Sequence, residues 1–332
     1  MVARHLAHHN YTVAWVCVLA CEVDAARALL DEEDDPLEPL FGDNNVYVLG
    51  RMWKLNVVIA SPSIRGDTPM GQAVAHLIRT FHNIRFGLLV GVGGGAPDLA
   101  HLDPSNDIRL GDVVVSYPTG KHGGVINYNA PSWKDENSPE IESRLTAPPN
   151  ALMSGVERLQ CDHRFSKGKE KMLSNVEVAF TRLTEVHHYP IHYSVPGHDP
   201  DQLFNAVYNH VGGKSDCGRC DPGEIIKRAQ RTKDEPQVHY GLIASADRDV
   251  NSTKLRDLLR NSWGVACLEM EAGGSLIDFP CVFIRGISDY CDTHRSDEWQ
   301  PYAAASASAY AKDLLRLMGP EQVGGIRLAQ GP

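Results

Sequence analysis

Short, unbroken apolar runs alternate along this chain with helix-like periodicity. That alternation limits the possible folds, because a strand buried on both faces reads as a continuous apolar stretch and its covering helices read at 3.6-residue spacing. Residues 13–19 (VAWVCVL) form such a run, and 21–30 continue at helical spacing with Glu22 at the junction. Residues 45–60 read as a hairpin, with strands at 46–49 and 55–60 and Gly50 near the turn. A helix is expected over 71–81, then a strand over 86–90 that the glycine-rich stretch 91–95 ends at a ligand-facing edge. Further strands are expected at 111–116, 238–245, 265–271 and 281–287, and helices at 253–261, from 271 onward, and at 303–318, the last alanine-rich and amphipathic. The pattern predicts a three-layer α/β/α domain around a mixed, twisted sheet, with chemistry at strand ends.

At 332 residues the chain is long for one undecorated domain. Residues 11–318 read as one catalytic domain carrying a large insertion over about 129–235, where His, Pro and charge rise, periodicity weakens and several helices are expected. Residues 319–332 read as a flexible tail or a linker within a longer multidomain protein. No apolar run approaches a membrane span and residues 1–10 lack the features of a secretory signal, so a soluble, cytoplasmic protein without a membrane partner is expected. A net charge of -10 disfavours nucleic acid as a partner, while leaving room for a local pocket that holds a small anion. The eight cysteines are too few for a disulfide framework, and Cys17, Cys21, Cys267, Cys281 and Cys291 sit among apolar residues as small hydrophobes do.

The densest cluster of chemistry-bearing residues is Glu269-Met270-Glu271, followed by Arg285-Gly286-Ile287-Ser288-Asp289 at a strand end. Taken alone, these residues also suit a solvated helix start and an aspartate cap. They stand, however, in an ordered series with Ala20-Cys21-Glu22-Val23, the stretch Gly91-Val92-Gly93-Gly94-Gly95, Leu110-Gly111-Asp112, and Gly241-Leu242-Ile243-Ala244-Ser245. In that order the chain resembles the nucleoside phosphorylase/nucleosidase superfamily over roughly 13–120 and 237–315. Its motifs are similar to those of methylthioadenosine/adenosylhomocysteine nucleosidases, and the wording at 84–88, 118–120 and 239–241 resembles the fungal-type branch.

The resemblance implies cleavage of a purine N-glycosidic bond without a catalytic cofactor, usually in a homo-oligomer. Asp289 then matches the general acid that protonates the leaving base at N7, Glu271 the carboxylate on the ribose hydroxyls, and Met270 the residue under the sugar. Arg285 matches the arginine that orders the nucleophile and its neighbouring carboxylate, and Glu22 the base that activates water. Glu269, the segment Gly91, Val92, Gly93 and Gly94, and Ser245 with Asp247 are candidate substrate-binding positions. Phosphorolytic relatives carry an arginine and a serine where this chain has Leu89 and Val92, which favours a hydrolase over a phosphate-dependent phosphorylase. Arg65 and Lys121 suit either solvated loops or the 5′ side of a nucleotide such as ATP, which some superfamily members in defence proteins attack. A third reading is a non-catalytic module that senses a nucleoside or nucleotide within a larger signalling or defence protein.

A second constellation, His210 with Cys217 and Cys220, has spacing that suits a structural zinc, a disulfide or two free thiols. Cys161, His163 and His192 are candidates for a fourth ligand.

Overall fold

The computed structural model describes residues 6–62, 70–98, 107–120, 122–128, 141–142, 147–165, 169–186, 195–196, 201–212, 217–231, 235–246, 250–271 and 279–329. In chain order these residues contain β1 (Val13–Val16), α1 (Ala20–Ala28), β2 (Glu32–Glu33), β3 (Val46–Met52), β4 (Leu55–Ser61), α2 (Met70–Thr80) and β5 (Phe86–Gly95). There follow β6 (Val113–Ser116), β7 (Val125–Tyr128), β8 (Ile141–Glu142), α3 (Asn150–His163), α4 (Glu170–Val186) and β9 (Val238–Ser245). The chain then runs through α5 (Thr253–Trp263), β10 (Val265–Glu269), β11 (Cys281–Asp289), α6 (Gln300–Arg316) and α7 (Pro320–Gly324).

The sheet is mixed and runs β2-β3-β4-β1-β5-β11-β6-β9-β7-β8. β10 pairs with both β5 and β9, so β5, β11, β6, β9 and β10 close into a ring. The closure explains a departure from expectation. Residues 91–95 do not end the strand as a loop: β5 continues through Gly95, and Gly94 and Gly95 pair antiparallel with Leu268 and Cys267. Across this run β5 stays paired parallel with β11 as far as Gly94, while its other edge passes from β1 to β10.

Alternation along the strands builds the layers. Val13 and Trp15 face one core with α1, α3, α4 and α6, whereas Ala14 and Val16 face another with Met70, Val74 and Leu77 of α2. A third cluster joins β9 and β10 to Leu259 of α5. α6 lies at the centre and is buried on nearly every face from Tyr302 to Leu315, where an amphipathic helix was expected. Its small residues permit this, for a Cβ at Gly286 of β11 would collide with the Ala303 carbonyl of α6.

The turn of the hairpin is Trp53-Lys54, with Trp53 at φ 54°, and Gly50 lies within β3 opposite Val57, not at the turn. Within 129–235 the helices include α3 and α4, whose Leu152, Val156, Leu159, Met172, Val176, Ala179 and Leu183 join the core of β1 and α6. The stretch expected to form a flexible tail contains α7 and docks on the body, with Val323 buried and the Ala329 amide donating to the Ile84 carbonyl at 2.8 Å. Among the described residues no helix is long and apolar enough to cross a membrane.

Candidate active site

Glu22 lies in the first turn of α1, where its carboxylate replaces a missing cap. Oε2 accepts from the amides of Val18 and Leu19 at 2.8 and 2.9 Å, while Oε1 reaches across to the Val92 amide of β5 at 2.8 Å. Burial pushes the Glu22 carboxyl upward from its ordinary value, against the opposing pull of Arg285 and the three amides.

Arg285 projects from β11 into the same region. Its Nη1 donates to Glu271 at 2.5 Å and its Nη2 to Glu269 at 2.8 Å. Burial disfavours the guanidinium charge, but Glu271, Glu269 and Glu22 more than offset this and hold it protonated. A Cβ on Gly91 would lie 2.5 Å from Glu22 Oε1 and 2.6 Å from Arg285 Nη1, so Gly91 is where acid, cation and strand meet with no room for a side chain. The Glu271 carboxyl is pushed up to about 8, first by burial and then by the nearby Glu22 and Glu269 charges, with Arg285 opposing.

Asp289 ends β11 beyond a register irregularity that follows Ile287. Its Oδ1 accepts from the Cys291 amide at 2.8 Å, and Arg295 Nε stands 3.7 Å from Oδ2. Burial raises the Asp289 carboxyl, and the amide and Arg295 offset only part of the rise. A Cβ on Gly94 would strike the Cys291 sulfur and lie 2.8 Å from Asp289 Oδ1, so this turn also depends on a bare strand.

Between these groups opens a pocket of about 610 Å³ including its mouth, walled by Val92, Gly93, Gly94, Glu269, Met270, Glu271 and Asp289 together with Leu19, Val250, Leu268, Ser288, Cys291, Arg295 and Gln300. Met270 is 48% exposed. Gly91, Glu22 and Arg285 lie behind the wall, each tied to a wall residue. Ser245 ends β9 beside Glu269 but does not reach the wall. Arg65, Lys121 and Asp247 lie outside the described residues. Arg295 was not legible in the sequence, since it sits in a polar loop without periodicity. Leu89 is a core residue and Val92 a wall residue, and neither offers phosphate a cation or a hydroxyl.

The structure also gathers His210, Cys217 and Cys220, with their ligand atoms within 4.8 Å of one another. Cys161 and His163 lie on α3 outside this group, and His192 lies outside the described residues.

Comparison with solved structures decides the fold. The futalosine hydrolase of Helicobacter pylori superposes with a TM-score of 0.56 at 14% identity, covering 94% of this chain and all of that one. The 5′-methylthioadenosine/S-adenosylhomocysteine nucleosidase of the same organism gives 0.55 at 13% identity, covering 93% of this chain and 99% of that one. Its counterpart from Neisseria meningitidis, solved with methylthio-immucillin-A, gives 0.53 at 17%, covering 92% and 99%. The fold is that of the nucleoside phosphorylases and nucleosidases. No protein-family model matches this nucleosidase-fold chain. A nucleotide-binding leucine-rich repeat (NLR)-like protein of Hyaloscypha variabilis is 36% identical over 317 residues, or 95% of this chain. The chain spans 30% of that relative's length.

Proposed function

We propose that this chain is an N-ribohydrolase that splits a purine nucleoside or nucleotide into free base and sugar. The observation that carries the proposal is the pairing, around one pocket, of a mostly buried carboxyl at Asp289 with a buried arginine joined to Glu269 and Glu271 and adjoining Glu22. Glycosidic cleavage passes through a cation-like sugar and a base that leaves poorly as an anion. Asp289, kept toward its protonated form, donates to the purine N7 and lets the base depart neutral. Glu271 accepts hydrogen bonds from the ribose hydroxyls, which favours its charged form, and its charge then stabilises the sugar cation. Met270 and the bare backbone of Gly93 and Gly94 shape the wall, and Arg285 orients the carboxylates. Glu22 takes the proton of the attacking water, which requires a small opening of the Val92 wall that now covers it.

The absence of a phosphate-binding side chain at Leu89 and Val92 supports water as the nucleophile. Adenosine-type nucleosides and ATP are the candidate substrates, with Arg65 and Lys121 as candidate partners of a 5′ phosphate. The size and description of the NLR-like relative favour a second reading, in which the domain senses such a ligand within a longer protein of the cell interior. Incubating the chain with adenosine, inosine, guanosine, methylthioadenosine or ATP, with and without phosphate, separates the readings. Free base and free sugar without phosphate are expected. Ribose 1-phosphate formed only with phosphate makes it a phosphorylase, and tight ligand binding without release of base makes it a sensor.

A further inference from the structure

The segment around 201–228 is fastened to the turn that follows β11 by an unusual density of contacts. The Tyr290 hydroxyl bonds Asp201 and accepts from Arg228 Nη1 at 2.9 Å, and Arg228 Nη2 donates to Asp201 Oδ2 at 2.7 Å. The His210 amide donates to Thr293 Oγ1 at 2.8 Å, and the Phe204 ring stacks on His294 with centroids 4.0 Å apart. Cys217 and Asp289 line one common cavity with His294. Among these contacts His294 is poorly provided for. Its side chain is only 5% exposed, its Nδ1 stands 3.6 Å from Asp292 Oδ1, too far for a good hydrogen bond, and neither ring nitrogen has a hydrogen-bond partner. A buried imidazole left in this way costs free energy unless something binds it.

We infer that His210, Cys217, Cys220 and His294 form a structural zinc site that clamps the Asp289-bearing turn to the 201–228 segment. The donor set is the kind zinc prefers, two thiolates and two imidazoles. With Zn–S of about 2.3 Å and Zn–N of about 2.1 Å, ligand atoms on one tetrahedral ion stand roughly 3.3–3.8 Å apart. The spread within 4.8 Å for His210, Cys217 and Cys220 therefore needs only a small contraction. His294 stands outside that close group and its ring must turn toward it; two imidazoles on such an ion place their ring centroids about 5 Å apart, and those of His210 and His294 are 5.5 Å apart, set edge to face at 74°.

The surroundings fit as well. The Cys-x-x-Cys turn is closed by the Cys220 amide donating to the Cys217 carbonyl at 3.0 Å, and the Val211 amide points to Cys220 Sγ at 3.5 Å, as a donor to a metal-bound sulfur does. With His294 Nε2 on the metal, Nδ1–H faces Asp292, the carboxylate partner that ligating histidines commonly have. Zinc at this point joins residues from two distant parts of the chain. His294 lies five positions after Asp289 in sequence, so the metal would hold the turn that the Cys291 amide completes.

The clamp does not depend on the enzymatic reading, because metal content is measured without turnover. The full chain, purified without chelator, is expected to contain about one zinc per molecule by elemental analysis. Replacement by Co²⁺ is expected to give tetrahedral ligand-field bands with sulfur-to-cobalt charge transfer. Cys217→Ser and Cys220→Ser should each weaken that charge transfer and lower zinc content, and His294→Gln should shift the ligand-field bands and weaken zinc affinity at least tenfold. Stripping zinc should lower Tm and speed amide exchange over 288–296 while exchange in β1 and β5 stays slow. Metal-free protein with both thiols open to alkylation, or a mass showing a Cys217–Cys220 disulfide, overturns the site. An unchanged cobalt spectrum and affinity in His294→Gln overturns the clamp, since the remaining ligands all lie in one segment.

Discussion

At the Asp289 end of the pocket a carboxyl is buried with one backbone amide, the Ser288 hydroxyl at 3.3 Å and an arginine 3.7 Å away, whereas at the other end one arginine bonds Glu269 and Glu271 directly and adjoins Glu22. Both ends bury acids and shift Asp289, Glu22 and Glu271 upward, yet by different balances. Asp289 is raised because little opposes desolvation. Glu271 is raised although a cation touches it, first because it is buried and then because Glu22 and Glu269 share that cation. The first arrangement suits a group that gives up a proton, and the second keeps a proton on Glu271 until donors such as sugar hydroxyls favour its charged form.

The contrast breaks most sharply at its isolated end. Asp289→Asn is expected to lower kcat by up to about 10⁴-fold with the fold intact, since an amide of the same shape cannot protonate the leaving base. A circular dichroism spectrum and a steady-state assay together check this, and a variant of near-normal rate would remove Asp289 from the role of acid.

Glu22→Gln should cost less, about 10²-fold, because a cation-like sugar captures water readily once the base has left. Added phosphate should not restore the rate. Recovery in phosphate would mean that the nucleophile is not water activated by Glu22.

Glu271 gives a test in stability rather than rate. Its folded value of about 8 exceeds the ordinary 4.5, so its contribution is fully present below pH 4.5 and is lost as pH rises through 8. Relative to Glu271→Gln, the wild-type Tm should therefore fall between those limits and run parallel above them. Thermal melts across that range check the sign, and parallel curves throughout would mean that the carboxyl is not raised.

The smallest effect belongs to Arg295. Its cation favours ionised Asp289 through a partly exposed pair, of the kind worth under about 1 kcal/mol, so Arg295→Gln should raise the Asp289 pKa slightly. As the acid is active when protonated, the alkaline limb of the kcat/KM profile should move to higher pH. A shift to lower pH would contradict the electrostatic account.

The central strands were legible because burial on both faces leaves a local record in the residues, and β9 begins and ends where the apolar run does, whereas the short β2, β7 and β8 were not expected and the helix expected from 271 onward lies outside the described residues. Glu22, Glu271, Arg285 and Asp289 were legible only as an ordered series, since each alone suits a cap or a solvated helix start. Arg295 and His294 left no such trace. They lie in a polar turn, where side-chain partners are set by what packs against it from elsewhere in the chain.

By itself, then, the sequence determined the α/β alternation, the acids and arginine available to the site, and the Cys-x-x-Cys pair, because each is written in neighbouring residues. Tertiary structure decided what those residues face. Pairing with β11 on one edge and with β10 on the other makes the glycine run a strand, and its bare backbone leaves room for Glu22 beside Arg285 and for Asp289 over Gly94. The charge balance followed from the same step. The position of a carboxyl's proton depends on burial and on charges brought close in space, and Glu22 and Arg285 meet across 263 positions of chain only through the sheet between them.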